Sequence, residues 1–280
     1  MIENREEDAK MKGGALSSKA GTPGRFLMAL IAVVPLFLGT RSSYAVTASG
    51  ILRNVRKAAS FRTVAMHIDM VLTDSIGQRR ERSFEWYAVD TDGVHKRLIV
   101  IDAPDTIKGT KYLLITRGRS TTQYVYMPSM HKVRRIGVAE LRESFLGSDL
   151  SYDDLKNSSY LSWHNTLLKV DMCPEEKVRC SVVQSLPPAR DGPPPPYSKI
   201  VQWIRSKDYV PVYAEFYRGR DVVKTMRVQE IKSIEGHSIA TRTYIHNPVT
   251  DHSTLVTIRH VLIDRPIDGS LFTVRFLEQP

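Results

Sequence analysis

Cysteine is scarce in this 280-residue chain, where only Cys173 and Cys180 occur. Neither lies near residues 40–50, so the amine-linked lipid anchor of a bacterial lipoprotein has no attachment point there. Long apolar runs are lacking too. The run at residues 26–39 has fourteen residues and contains Pro35, short of the ~20 that a membrane-spanning helix needs. No Gly-x-Ser-x-Gly elbow, phosphate loop or dinucleotide fingerprint is present, which removes the common hydrolase and nucleotide-binding chemistries. His246, His252 and His260 fall on two expected strands and a turn without a fixed ligand spacing, so no metal site is expected. A calcium loop beginning at Asp149 fails because Asp154 stands where its glycine belongs and Tyr160 where its bidentate glutamate belongs. Scattered carboxylates define no acid–base pair. The expectation is a protein without catalysis, cofactor or metal, and no internal repeat suggests an array.

What is present begins with charge. Lys and Arg number 40 against 30 Asp and Glu, a formal net charge of +10. Residues 1–45 read as a signal peptide: Lys12, Lys19 and Arg25 form a basic region, residues 26–39 an apolar core, and Ser43 and Ala45 a cleavable spacing of small residues. The acidic leader at residues 3–8 is foreign to such a region, which points to Met11 as an alternative start. Residues 46–280 are then a single domain, exported and soluble after cleavage. That part keeps 34 basic and 26 acidic residues, a net +8, suited to anionic lipid headgroups or an acidic partner face. Export and the lack of a recognition helix, zinc finger or stacked-aromatic motif argue against nucleic acid.

Period-two patterning dominates the remainder. After a short amphipathic helix at residues 48–59, with Ile51, Leu52, Val55 and Ala58 on one side, twelve candidate strands follow. They are 63–72, 78–89, 95–101, 110–117, 121–127, 160–172, 178–186, 198–205, 209–218, 222–234, 237–245 and 254–264. So many strands in one sheet must curl, which suits a partial barrel. Cys173 and Cys180 flank a turn between two of them, and in an oxidising compartment they are expected to form a disulfide. The proline-rich residues 187–196 cannot join a ladder and read as an exposed spacer, with a docking surface as the other reading.

One stretch stands apart from this pattern. Residues 124–155, "YVYMPSMHKVRRIGVAELRESFLGSDLSYDDL", open as a strand that Pro128 ends, then give a basic run at Lys132, Arg134 and Arg135, a polar helical segment at 140–143 and a turn at Gly147. Ser151 followed by Asp154 has the form of a helix start. The arrangement reads as a lid over an open sheet face, an ordinary surface connection being the alternative.

The words "YMP", "RRI" and "SFLGSDLSYDDL" in that stretch resemble the LolA-like family of outer-membrane lipoprotein-sorting proteins. Further similar words are "DAPDTIKGTKYLL" from Asp102, "YSKIVQWI" from Tyr197, "YVPVYAEFY" from Tyr209 and "LFTVRFLE" from Leu271. The resemblance implies a mainly β fold: an incomplete, half-open antiparallel β-barrel with short helices and a lid over its mouth, holding acyl chains of lipoproteins or lipids. Met66, Met70, Phe84, Trp86, Tyr124, Tyr126, Trp163, Trp203, Phe216 and Met226 are candidate lining residues, with plain core packing as the alternative for each. The lid set is Pro128, Arg134, Arg135, Phe145, Gly147, Asp149, Asp153 and Asp154, with the two arginines either pairing to those aspartates or forming a solvated corner. The family implies a monomeric periplasmic carrier or chaperone for lipoprotein transport, loaded by an inner-membrane transporter and unloaded to an outer-membrane acceptor. The alternative is an envelope-stress sensor that detects mislocalised lipoproteins. Such sensors carry a second domain, and this chain stops soon after its last expected strand.

Overall fold

The computed structural model describes residues 47–279 except 119, 157–158, 175 and 190–194. The expected signal peptide with its alternative start, and the middle of the proline-rich loop, lie outside the described residues.

Thr47 starts the first helix, α1 (Ala48–Ala58), by accepting at Oγ1 from the Gly50 amide at 3.1 Å. Ile51, Leu52 and Val55 form its buried stripe, and Arg56 and Lys57 occupy the last turn, where the carbonyl end of the helix favours cations. Six strands follow as a meander: β1 (Thr63–Thr73), β2 (Arg79–Thr91), β3 (Val94–Ala103), β4 (Lys111–Arg117), β5 (Ser120–Met127) and β6 (Lys132–Arg135). A second meander comprises β7 (His164–Met172), β8 (Arg179–Leu186), β9 (Lys199–Arg205), β10 (Pro211–Arg218), β11 (Asp221–Ile234), β12 (His237–Asn247) and β13 (His252–Ile263). Pairing of β1 with β13 fuses the two into one antiparallel sheet, ordered β6-β5-β4-β3-β2-β1-β13-β12-β11-β10-β9-β8-β7. Its two ends stay apart, so the sheet is an open half-barrel.

All twelve expected strands are present, with boundaries moved by a few residues, and β6 is an addition. The basic run read as a corner is a four-residue edge strand, reached through a turn at His131 in the left-handed region (φ 46°). Three of its four residues are cationic and exposed, which protects an edge from unwanted pairing. Cys173 and Cys180 are joined as a disulfide, with Cα atoms 5.0 Å apart.

Register separates two faces. The inner face carries Met66, Ile68, Met70 and Leu72 of β1, opposite Trp86 and Phe84 of β2, which in turn face Ile99 and Ile101 of β3. Helix α1 covers the β7–β9 end of this face, with Ile51, Leu52 and Val55 against Leu167, Val183 and Ile204. On the opposite face, a 3-10 turn at Gly269–Phe272 and the short helix α2 (Val274–Leu277) pack Phe272 and Leu277 onto Leu98, Leu113 and Tyr126. Here "LFTVRFLE" is a helical cover for the sheet. Among the described residues no helix is long and apolar enough to cross a membrane.

Candidate functional site: a plugged inner face with two adjoining cavities

Residues 136–155 leave β6 and fill the inner face in front of β1–β5. Ile136, Phe145 and Leu155 are buried there, with Leu141, Leu146, Leu150 and Tyr152 packed around them. Phe145 is the centre of this plug. Only 1% exposed, it meets Tyr112, Tyr152 and Phe84 edge-on at centroid distances of 5.2, 5.8 and 6.1 Å. Burial of one such side chain contributes ~1.5–3 kcal/mol. Gly147 turns the chain at φ +79°, a conformation that favours glycine. Ser148 Oγ donates to the Phe145 carbonyl at 2.7 Å, and Ser144 Oγ to the Ser148 carbonyl at 2.6 Å, fixing the loop on itself.

Two polar latches tie the plug to the far half of the sheet. Asp149 accepts from Thr254 Oγ1 at 2.7 Å and meets His252 Nδ1 at 2.9 Å. Asp154 accepts from Lys224 Nζ at 2.8 Å and from Tyr197 Oη at 3.1 and 3.2 Å, while Lys224 also donates to Tyr197 Oη at 2.5 Å. The Lys224 side chain is 6% exposed and lies over the Phe216 and Tyr197 rings, 4.5 and 4.8 Å from their centroids. Burial, with the Asp154 charge added, pushes the Tyr197 phenol far up, so it stays a hydrogen donor. Tyr112 is raised in the same way by burial and by its Tyr152 neighbour.

Between the plug and the end covered by helix α1, the inner face borders open cavities. An inner cavity of about 200 Å³ lies between Leu150, Trp163, Ile200, Phe216, Met226 and Ile245, with Gln202 in its wall. Gln202 is 3% exposed, and its Oε1 has no hydrogen-bond partner among the described residues. A second cavity of about 310 Å³ adjoins it, lined by Arg142, Arg218, Lys224, Asp149 and the serines of the plug loop. Leu150, Tyr197 and Lys224 line both, forming the neck between them.

The expected lining residues divide by face. Met66, Met70, Phe84 and Trp86 lie on the inner face, with Met70 and Phe84 buried beneath the plug. Phe216, Met226 and Trp163 line the inner cavity. Three residues lie elsewhere. Tyr124 and Tyr126 pack on the opposite face against the C-terminal cover, and Trp203 stacks edge-on with Tyr213 at 5.1 Å, opposite to its neighbour Gln202. Alternation places every second residue on each face but does not say which face is enclosed.

The lid set is also partly rearranged. Pro128 ends β5, but Arg134 pairs with Glu140 at 2.6 Å and Arg135 is an exposed edge residue, so neither holds the aspartates. Glu140 also accepts from the Gly137 amide at 2.6 Å, and that bond, then Arg134, lowers its carboxyl pKa. Asp153 pairs with Lys156. Ser151 and Asp154 do make the reciprocal bonds of a helix start, yet residues 152–155 form only turns. Tertiary ties win: the Asp154 carboxylate goes to Lys224 and Leu155 to the core.

Sequence reading missed Lys224, although a signal existed. Val222, Lys224, Met226 and Val228 form an alternating series in which one charge interrupts an apolar face, and such a charge needs a buried partner.

A family model described as an uncharacterized protein matches residues 93–279. Among solved structures, a DUF1329 family protein from Desulfovibrio piger is 22% identical, with a TM-score of 0.76 over 82% of this chain and 97% of that one. A putative outer membrane lipoprotein-sorting protein domain from Vibrio parahaemolyticus is 20% identical, with a TM-score of 0.75 over 83% and 98%. A LolA superfamily protein from Nitrosomonas europaea is 18% identical, with a TM-score of 0.65 over 83% and 100%. At these identities the likeness establishes the fold. No curated protein matches the chain.

Proposed function

The chain belongs to this LolA-like family of uncharacterised proteins, and from that premise we propose that it is a periplasmic carrier that shields acyl chains of lipoproteins or lipids and passes them toward the outer membrane without chemistry. The observation that carries the reading is the inner face itself. Its β1–β5 part is covered by residues 136–155 and its β7–β9 end by helix α1, and the remainder borders a mainly apolar cavity lined by Trp163, Phe216 and Met226. At about 200 Å³ this cavity is smaller than the ~300–1,000 Å³ of typical ligand pockets. The described arrangement is therefore the closed one, and loading takes a longer chain only as the plug withdraws. Each methylene transferred from water contributes ~0.8 kcal/mol, so a sixteen-carbon chain supplies about 12 kcal/mol of driving force against the plug's own contacts. Residues 136–155 thus act as the gate, through Phe145, Gly147, Asp149 and Asp154 and not through the arginine pair. The export signal, a monomeric state, an inner-membrane loading transporter and an outer-membrane acceptor belong to the same proposal, by analogy with what the neighbours are named for.

The three tryptophans supply the test. Single-tryptophan variants keeping Trp163, Trp86 or Trp203 are titrated with acyl chains carrying bromine, a contact quencher. Quenching of Trp163 with Trp203 unaffected is expected. Equal quenching of Trp203, or of none, overturns the reading.

A further inference from the structure

The two adjoining cavities differ in chemistry. The inner one offers mainly apolar side chains, Trp163, Ile200, Phe216, Met226 and Ile245, with Asp153 and Asp154 also in its wall, whereas the outer one offers Arg142 and Arg218, with Lys224 at the neck. We propose that the outer cavity is a headgroup site for a single anionic group, carboxylate or phosphate, on a ligand whose acyl tail occupies the inner cavity. This rests on the carrier reading and names the ligand class of that same site: an anionic amphiphile.

Four observations carry it. First, the cavities are contiguous, since Leu150, Tyr197 and Lys224 border both, so one molecule can span them. Second, among the described residues the charges that line the outer cavity are three cations against one carboxylate. That carboxylate, Asp149, is already engaged by Thr254 and His252. Third, Lys224 is held by Asp154, but the Arg218 side chain has no ion pair or hydrogen bond among the described residues, and it sits at the exposed end of β10. Its planar fork of donors suits a carboxylate or phosphate. Fourth, Gln202 Oε1 is a buried acceptor without a hydrogen-bond partner in the inner wall, which also carries the Asp153 and Asp154 carboxylates, and such oxygens repel an anionic head placed among them. The polar head therefore stays outside and the tail goes in.

The mouth is also where lipid must enter. Val249 and Thr250, in the turn between β12 and β13, line the outer cavity, and Val249 is 69% exposed. The headgroup site is thus open to solvent on one side and to the acyl cavity on the other.

Titration calorimetry with palmitate, hexadecyl phosphate and hexadecanol tests the proposal on the intact chain and on Arg218→Gln and Arg142→Gln/Arg218→Gln variants. Both sites are exposed, so the variants keep the fold, which circular dichroism checks. The proposal expects both anions to bind more tightly than the alcohol, and the double variant to lose about tenfold for the anions, the scale of one hydrogen bond to a charged group. Hexadecanol should bind all three forms alike, and whichever anion binds more tightly assigns the source as fatty acid or phosphorylated lipid. Added salt should weaken the two anions only. Equal affinity for all three ligands, or anion binding that ignores both substitutions, overturns the headgroup site and leaves the carrier standing. Failure of all three to bind overturns the carrier as well.

Discussion

Replacing Lys224 with methionine probes the Asp154–Lys224 latch, on which the proposed gating depends. Methionine keeps the unbranched stem beside Phe216 and Met226 but strips Asp154 of its cation. The Asp154 side chain is 14% exposed, so its charge is poorly solvated once alone. Breaking a buried pair from one side costs ~3–5 kcal/mol. Tyr197 and the Ser151 amide and hydroxyl still donate to Asp154, which puts the expected cost at the lower end, about 3 kcal/mol. Because Asp154 belongs to the plug and Lys224 to the sheet, the cost falls on local opening of residues 136–155. At 1.4 kcal/mol per tenfold, amide hydrogen exchange across residues 140–156 should accelerate by about a hundredfold. Exchange in β2 and β3 should hold. Adding Asp154→Asn removes the stranded charge and should restore at least tenfold of the lost protection, since neighbouring substitutions couple. Exchange unchanged in residues 140–156, or accelerated equally in β2 and β3, would refute the latch.

Three further outcomes are expected. Gly147→Ala meets only ordinary contact at Leu72 Cδ2, 3.7 Å from the new Cβ, but its φ of +79° should cost about 1–2 kcal/mol in urea titration. Replacing Cys173 and Cys180 with serine reopens a loop of seven residues' separation and should lower stability by about 2.5 kcal/mol, or roughly 5–10 °C in Tm by calorimetry. His67 has a raised pKa, chiefly through its 2.7 Å contact with Glu85, followed by opposing desolvation and the Asp69 charge. Its stabilisation is complete below the unfolded value near 6.5 and lost as pH rises through the folded one. The urea-midpoint gap between the native chain and His67→Asn should therefore be wider at about pH 5.5 than at pH 8.5.

Much of this fold is legible in the sequence because period-two alternation survives in nearly every strand. β6 escapes it: Lys132, Arg134 and Arg135 leave only Val133 to mark a face, and an edge strand pairs through its backbone whatever its side chains. The site is less legible. Tyr124, Tyr126 and Trp203 look like lining because aromatics on strands are usually buried, but burial occurs on both faces here, one under the plug and one under the C-terminal cover. The partners of Asp149 and Asp154 lie 105 and 70 residues away along the chain, and no local spacing encodes such pairs. Lys224 nonetheless leaves a trace, being the polar member of the otherwise apolar alternating series from Val222 to Val228.

Native mass spectrometry of the full chain, purified under mild conditions from the cells that make it, tests the central claim most directly. The account predicts a population heavier than the polypeptide by one lipid, converted to the bare mass by organic extraction and regained when acyl ligand is returned. A chain that is bare as isolated and takes up no lipid when offered it contradicts the account.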